Sequence, residues 1–580
     1  MRAVVGKRAM DADAAAKCRE RDLESGELGD PMNHRILALL PTLALASACS
    51  GEHASTTPSA SLCAADATSI TLAVAGYVSL DPASDSGCVA FPKNSSAGDS
   101  VEYLMIAQSA GGPPGDSTAF QLRSGGLAGA AVAERLGYRA VLRSRGVVAH
   151  RFDRFLRGLG RTHAASLRAP HVSAAPVTGP AKVVTPPVVG ALRTFTVCAV
   201  NDCSAFKPVT ARVRTVGAHV AVYVDTLAPP GGLDSSQIAA LTQTFDTHVY
   251  TVDTAAFGSV SDIDSNGVVI VLMTPAVNSL VTTAECTSGG FVAGFFFPPD
   301  LDPFTASQYN HGEIFYTVVA DPSGTLSCAH TVEDVVTTLP GTFLHELQHL
   351  ISFNQHVLIR GAPVEDLWLD ESLSSFAEEL GGRSYLPDSA TFSQYVIPDL
   401  YNAGQYLEAP QDYFLLQTGD TVLAEFGAGW LYVRYLVDRF GTSLTNRLEA
   451  TTLTGTANVA AQTGLPFATT VSRWALALWV SDLPGFTPPP ELTYSSWSFR
   501  SILALLNAED PADFPYPYPL VPVADSGTGI SVAGYLRAGS GTYVRALQGP
   551  GGAGFTVLFS GSGGVPASIA VPRLSVIRIR

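Results

Sequence analysis

The stretch Leu344-His345-Glu346-Leu347-Gln348-His349-Leu350 constrains this chain more than any other. Residues four apart on a helix differ by about 40° around its axis and about 6 Å along it, so both imidazoles aim at one point. Glu346 stands about 100° round from His345, within reach of a water at that point without binding the same ion. Val335, Val336, Leu339, Phe343, Leu344, Leu347, Leu350 and Ile351 recur at helical spacing, which predicts a buried helix. Pro340-Gly341 is predicted to kink that helix or restart it just before the motif. The spacing favours a zinc pair over two histidines satisfied by hydrogen bonds on a core helix.

Zinc that keeps a place for reacting water needs a third protein ligand. A glycine three places and a histidine six places after His349 form one known continuation, but Ser352 and Gln355 stand there. An aspartate-liganded continuation finds no match downstream. A glutamate on a second helix does, in Leu367-Trp368-Leu369-Asp370-Glu371-Ser372 and the residues after it. Leu369, Leu373, Phe376, Ala377 and Leu380 form an apolar stripe, and Gly381-Gly382 is the predicted C-terminal stop. Glu371 follows His349 after 21 intervening residues, room for a loop and an antiparallel return. A charge on the core-facing part of such a helix is costly unless it coordinates something.

His345-Glu346-x-x-His349 followed by Trp368-Leu369-Asp370-Glu371-Ser372 resembles the gluzincin metallopeptidases, and the fuller wording is most similar to the hyicolysin-like neutral metallopeptidases. The likeness runs from about 215 to 485, with minor support from Phe245-Asp246, Ser261 to Asp264 and Trp430-Leu431. It implies an α+β, zincin-like catalytic domain, zinc held by His345, His349 and Glu371, and Glu346 as general base. The expected reaction is hydrolysis of peptide bonds in proteins by a zinc-held water that Glu346 deprotonates. Aminopeptidase relatives supply an oxyanion donor from a tyrosine followed three residues later by glycine. The best counterpart, Phe426-Gly427-Ala428-Gly429, has a phenylalanine, which cannot donate. Tyr385, His356, Tyr432 and Tyr435 are the other candidates. Asp370 and Glu378 are candidates to orient a ligating imidazole. No Gly-x-Met-Glu-Asn stretch occurs, which favours an endopeptidase over an aminopeptidase.

Charge narrows the partners. A net charge of −16 over 580 residues, with lysine only at positions 7, 17, 93, 182 and 207, argues against nucleic acid and against a basic membrane-binding face. Residues 1–48 read as a leader: Met32-Asn33-His34-Arg35, an apolar core from Ile36 to Leu45, then Ala46-Ser47-Ala48-Cys49 have the layout of a secretory signal over 32–48. Cys49 is placed as in a bacterial lipoprotein box, although Ala46 stands where leucine is usual; cleavage after Ala48 with free secretion is the alternative. Six further cysteines suit an exported, disulfide-bonded protein, and neighbour pairing (63–88, 198–203, 286–328) is the simplest of their connectivities.

Residues 49–125 are predicted as a tether and a small β domain. Residues 126–190 form an Arg-rich helical segment and a Pro-rich linker, read either as a solvated connecting helix or as a prosegment docking on an acidic body. The catalytic domain is expected over 191–485, a Pro-rich connector over 486–520, and a small β module over 521–580. Phe291–Phe297 and Glu313–Val319 are candidate edge strands for pairing with a substrate peptide. Asp262-Ile263-Asp264-Ser265-Asn266-Gly267 matches the start of a calcium loop, but Met273 occupies the position of its bidentate glutamate, and a turn is the favoured reading. The rival function is a catalytically inactive envelope protein of metallopeptidase type that binds a polymer or partner through its β modules.

Overall fold

The computed structural model describes residues 63, 67–84, 87–124, 147–168, 184–302, 308–419, 422–561 and 568–580. The leader, Cys49, the 50–60 tether and residues 126–146 of the Arg-rich segment lie outside the described residues.

Five strands come first: β1 (Thr68–Ser69), β2 (Tyr77–Leu80), β3 (Cys88–Phe91), β4 (Val101–Ser109) and β5 (Ser117–Ser124). Helix α1 (Val147–Arg168) follows. Strands β6 (Leu192–Cys198), β7 (Phe206–Val216), β8 (Val220–Asp225), β9 (Val269–Met273), β10 (Gly294–Phe296) and β11 (Ile314–Thr317) come next. They are interrupted by α2 (Ser235–Thr244), α3 (Tyr250–Phe257), α4 (Pro275–Asn278) and α5 (Thr283–Gly289). A helical stretch carries α6 (Val332–Phe353), α7 (Leu367–Arg383), α8 (Ser389–Glu408), α9 (Leu423–Phe440), α10 (Leu444–Glu449), α11 (Gly455–Thr463), α12 (Phe467–Val480) and α13 (Phe499–Glu509). Strands β12 (Val523–Ser526), β13 (Ser531–Arg537), β14 (Gly541–Gln548), β15 (Phe555–Gly561) and β16 (Pro572–Arg578) close the chain.

The protein is thus a mixed helix-and-sheet fold. Strands β6 to β11 form one sheet in the order β10-β11-β9-β8-β7-β6. Strands β8, β9 and β11 run parallel, and β10 lies antiparallel to β11 at the edge. Every residue of Val269–Met273 is buried, as a run apolar on both faces requires. Helices α2 and α6 lie against this sheet, and β10 lies along α6.

Segments 49–125 and 521–580, expected as separate β modules, are instead interleaved. Two sheets, β1-β3-β15-β5-β13 and β12-β14-β4-β16-β2, each draw strands from both chain ends. Val89, Phe91, Met105, Phe120, Val557, Phe559 and Val576 fill the space between them. Neither end alone supplies enough paired strands to bury a face, so the two complete each other. The Pro-rich 486–520 segment is likewise not an open connector. It contains α13, and Trp497 and Phe499 stack on each other beside Trp430.

Two expectations about the helices that carry the candidate ligands are corrected. Helix α6 is not restarted at Pro340. It opens on a Thr331–Asp334 capping box and runs through Pro340 to Phe353. Pro340 leaves the Val336 carbonyl without a helical donor, and Val336 is on the exposed side, where water can serve that oxygen. Gly381-Gly382 does not end α7, which continues to Arg383. A Cβ on Gly381 would sit 2.1 Å from Leu344 Cδ1, so this glycine lets α6 and α7 approach.

Disulfides join Cys63–Cys88, Cys198–Cys203 and Cys286–Cys328, the neighbour pairing. Among the described residues, no helix is long and apolar enough to cross a membrane.

Candidate active site

Close packing of α6 on α7 brings the four predicted site residues together. His345 Nε2 lies 3.4 Å and His349 Nε2 3.7 Å from the same oxygen, Oε2 of Glu371. One donor atom from each of the three residues falls within 4.8 Å of the other two. Behind each imidazole stands a carboxylate: Glu378 Oε1 is 2.9 Å from His345 Nδ1, and Asp370 Oδ2 is 3.0 Å from His349 Nδ1. With Nδ1 engaged in this way, both Nε2 atoms are turned toward Glu371, and His349 Nε2 also has Ser374 Oγ at 3.0 Å.

Glu371 is 2% exposed, and neither of its oxygens takes a hydrogen bond of normal geometry. Burial works against its charge, but His349 and His345 outweigh that and hold the carboxyl well below the usual range. Burial likewise presses His349 downward, yet Asp370 and Glu371 raise it to about 9. Asp253, fully buried beneath the site, has both carboxylate oxygens without a hydrogen-bond donor. Two nitrogens and a carboxylate oxygen, amid this surplus of unpaired acid, make a donor set suited to a divalent cation of zinc type.

Glu346 is 6% exposed. Its Oε2 accepts from the Phe296 N–H of edge strand β10 at 3.0 Å and from Arg157 Nη2 at 3.1 Å. A cleft of about 670 Å³ runs past His345, Glu346 and Glu371, with the Phe291–Phe295 stretch along one wall and Pro398, Tyr401 and Phe426 lining other parts. Of the two candidate edge strands, only β10 is an edge; β11 lies between β10 and β9.

The oxyanion candidates do not line this cleft. Tyr432 hydroxyl is 2.6 Å from Thr470 Oγ1, Tyr435 donates to the Glu491 carbonyl, and Tyr385 stacks on His248. His356 sits in a separate enclosed cluster, 3.3 Å from Glu449 and 3.9 Å from Glu365. Phe426 does line the cleft, while Gly429 serves packing: a Cβ there would meet Ser372 Oγ at 2.2 Å. Tyr395 and Tyr401, which drew no notice in the sequence, are the tyrosines on the cleft wall, and the buried Tyr401 hydroxyl has no hydrogen-bond partner.

Two further residues were missed. Helix α1 is not a solvated connector over its described part: Phe152 is 2%, Leu156 0% and Arg157 6% exposed. Arg157 reaches Glu346 and Glu371, and an Asp153 oxygen lies within 4.8 Å of donor atoms of Glu346 and His349. The signal was present as an apolar i, i+3, i+4, i+7 stripe of Phe152, Phe155, Leu156 and Leu159 inside the arginine-rich run.

The Asp262–Gly267 loop makes the favoured turn. Asp262 accepts from Gly267 N–H, Asp264 from Asn266 N–H, and Asn266 from Val268 N–H. Asp262, Asp264 and Glu313 lie within 4.8 Å of one another, and Arg193 stands 3.8 Å from Asp264.

No family model matches the chain. The chain is similar to the neutral metalloprotease ShpI of Staphylococcus hyicus, with 28% identity over 149 residues. That match covers 26% of this chain and 32% of the relative, about a third of its length, and supports a relationship to metallopeptidases.

Proposed function

We propose that the protein is a zinc-dependent endopeptidase of gluzincin type, akin to the hyicolysin-like neutral metallopeptidases, with its chemistry in a zincin-like domain over residues 191–485. The observation that carries this reading is the convergence of His345 Nε2 and His349 Nε2 on one hydrogen-bond-free oxygen of Glu371, with Glu346 on the same cleft.

His345, His349 and Glu371 would hold the ion, and Glu378 and Asp370 fix the two imidazoles. Zinc, when bound, supplies Lewis acidity, making water nucleophilic near neutral pH and polarising a carbonyl. Glu346 takes the proton of the attacking water and returns it to the leaving amine. Strand β10 offers its free edge to an extended substrate, whose backbone adds to the sheet. Tyr401, a cleft-wall residue whose hydroxyl has no partner, is the candidate donor to the developing oxyanion. The chain is exported, with three disulfides suited to an oxidising compartment, and Cys49 offers a lipid anchor as the alternative to free secretion.

Digestion of casein or a peptide library, with and without chelator, tests the reading. Chelator-sensitive cleavage at internal bonds is expected. A purified protein that holds one zinc per chain yet cuts nothing, even after removal of any covering segment, would return the inactive binding protein to favour.

A further inference from the structure

We infer that helix α1 is an autoinhibitory plug, seated in the catalytic cleft by Asp153 and Arg157, and that cleavage requires its withdrawal. The inference rests on the metallopeptidase reading above and concerns the regulation of that same site.

Arg157 is the centre of the contact. Its Nη2 lies 3.1 Å from Glu346 Oε2 and its Nε 3.5 Å from Glu371 Oε1, so one guanidinium spans the proposed general base and the proposed third ligand. Asp153, one turn earlier, grips the same guanidinium at 2.6 Å and 3.0 Å. Its carboxylate also falls within 4.8 Å of ligand atoms of Glu346 and His349, so it crowds the proposed base and one imidazole. A general base must offer its carboxylate to water, and Glu346 Oε2 is already engaged by Arg157 and by Phe296 N–H. The contact thus competes with water for one of the two Glu346 oxygens.

The helix also occupies substrate space. Phe152 packs edge-on against Phe295 of β10 with ring centroids 4.9 Å apart, and Phe152, Asp153 and Leu156 form part of the cleft wall. A peptide adding to β10 must pass where Phe152 and Leu156 stand. The grip is ionic at the site and apolar along one stripe, so a few groups hold the plug and their loss releases it. A buried ion pair broken by removal of one partner leaves its mate uncompensated, which makes the closed state sensitive to single substitutions.

The experiment uses the full chain loaded with one zinc and compares it with Asp153→Ala/Arg157→Ala. The readouts are affinity for a small hydroxamate, the rate of zinc extraction by a chelator, and casein cleavage. The double variant is expected to bind the hydroxamate at least tenfold more tightly, to lose zinc to chelator faster, and to cleave more. Phe152→Ala, which leaves both charged groups in place, is expected to move all three the same way by less, and it covers the case of a double variant that does not fold. Unchanged or weaker hydroxamate binding in folded, zinc-loaded variants overturns the plug and makes Arg157 a positioning residue of the active enzyme. A chain that binds neither zinc nor hydroxamate in any form overturns the metallopeptidase reading itself, and the plug with it.

Discussion

Helix α6 and its π-helical extension over Asn354–Ile359 carry two clusters of histidine and carboxylate, and they are built differently. At His345 and His349, two Nε2 atoms face one glutamate whose oxygens take no hydrogen bond, beside an open cleft. At His356, one imidazole lies between Glu449 and Glu365, all three fully or nearly fully buried. The acids of the second cluster have donors of their own. Glu365 accepts from Gly455 N–H at 2.5 Å and Asn458 Nδ2 at 2.7 Å, and Glu449 accepts from Gln348 Nε2 at 2.8 Å. The contrast separates a candidate metal site from a structural tie. In the first cluster both Glu371 oxygens lack a hydrogen-bond donor beside a cleft; in the second, Glu365 and one Glu449 oxygen have donors and the cluster is enclosed.

The strongest way to break this contrast is His349→Ala, expected to take zinc content from about one ion per chain to near zero after dialysis, measured by elemental analysis. Glu346→Gln comes next: zinc is retained while kcat/KM for a peptide substrate falls by about 10²–10⁴, the worth of a positioned general base. In the second cluster, His356→Ala leaves Glu449 facing Glu365 without a cation between them. Zinc content is expected to be unchanged while stability to denaturant falls by about 3–5 kcal/mol, as for other broken buried pairs; loss of zinc there would erase the distinction. Glu378→Gln, acting behind His345, is expected to weaken zinc affinity about 10–100-fold in a competition titration.

The smallest effect is a pH slope. Burial raises the Glu365 carboxyl to about 8, with His356 and the Gly455 and Asn458 donors pulling it down. The folded chain therefore keeps a proton that the unfolded chain has released above about 4.5, and stability falls as pH rises from there toward 8. One such proton is worth at most about 1.4 kcal/mol per pH unit. Glu365→Gln is expected to flatten the decline, read from melting temperatures between pH 5 and 8.

Much of the first cluster was legible because its information is local. His345 and His349 share a helix, and Glu371, about 180° round α7 from its apolar stripe, shares a face with Ser374 and Glu378, which also meet the α6 imidazoles. Pro340 and Gly381 misled for one reason: propensity describes an isolated helix, whereas here an exposed carbonyl tolerates the proline and close packing on Leu344 requires the glycine. Tyr401 was out of reach, and the stripe around Arg157 signals burial but not its partner, since each gains its place from an element distant in sequence.

Periodicity and short spacing in the sequence were enough for the His345–His349 helix, its partner helix and the strands of the mixed sheet, and they offered the neighbour disulfide pairing as the simplest connectivity. The tertiary structure alone decided that the two chain ends share sheets, that His356 is walled in, and that Arg157 lies on Glu346. Those outcomes depend on which distant surfaces exclude water together, and no short-range pattern encodes that pairing.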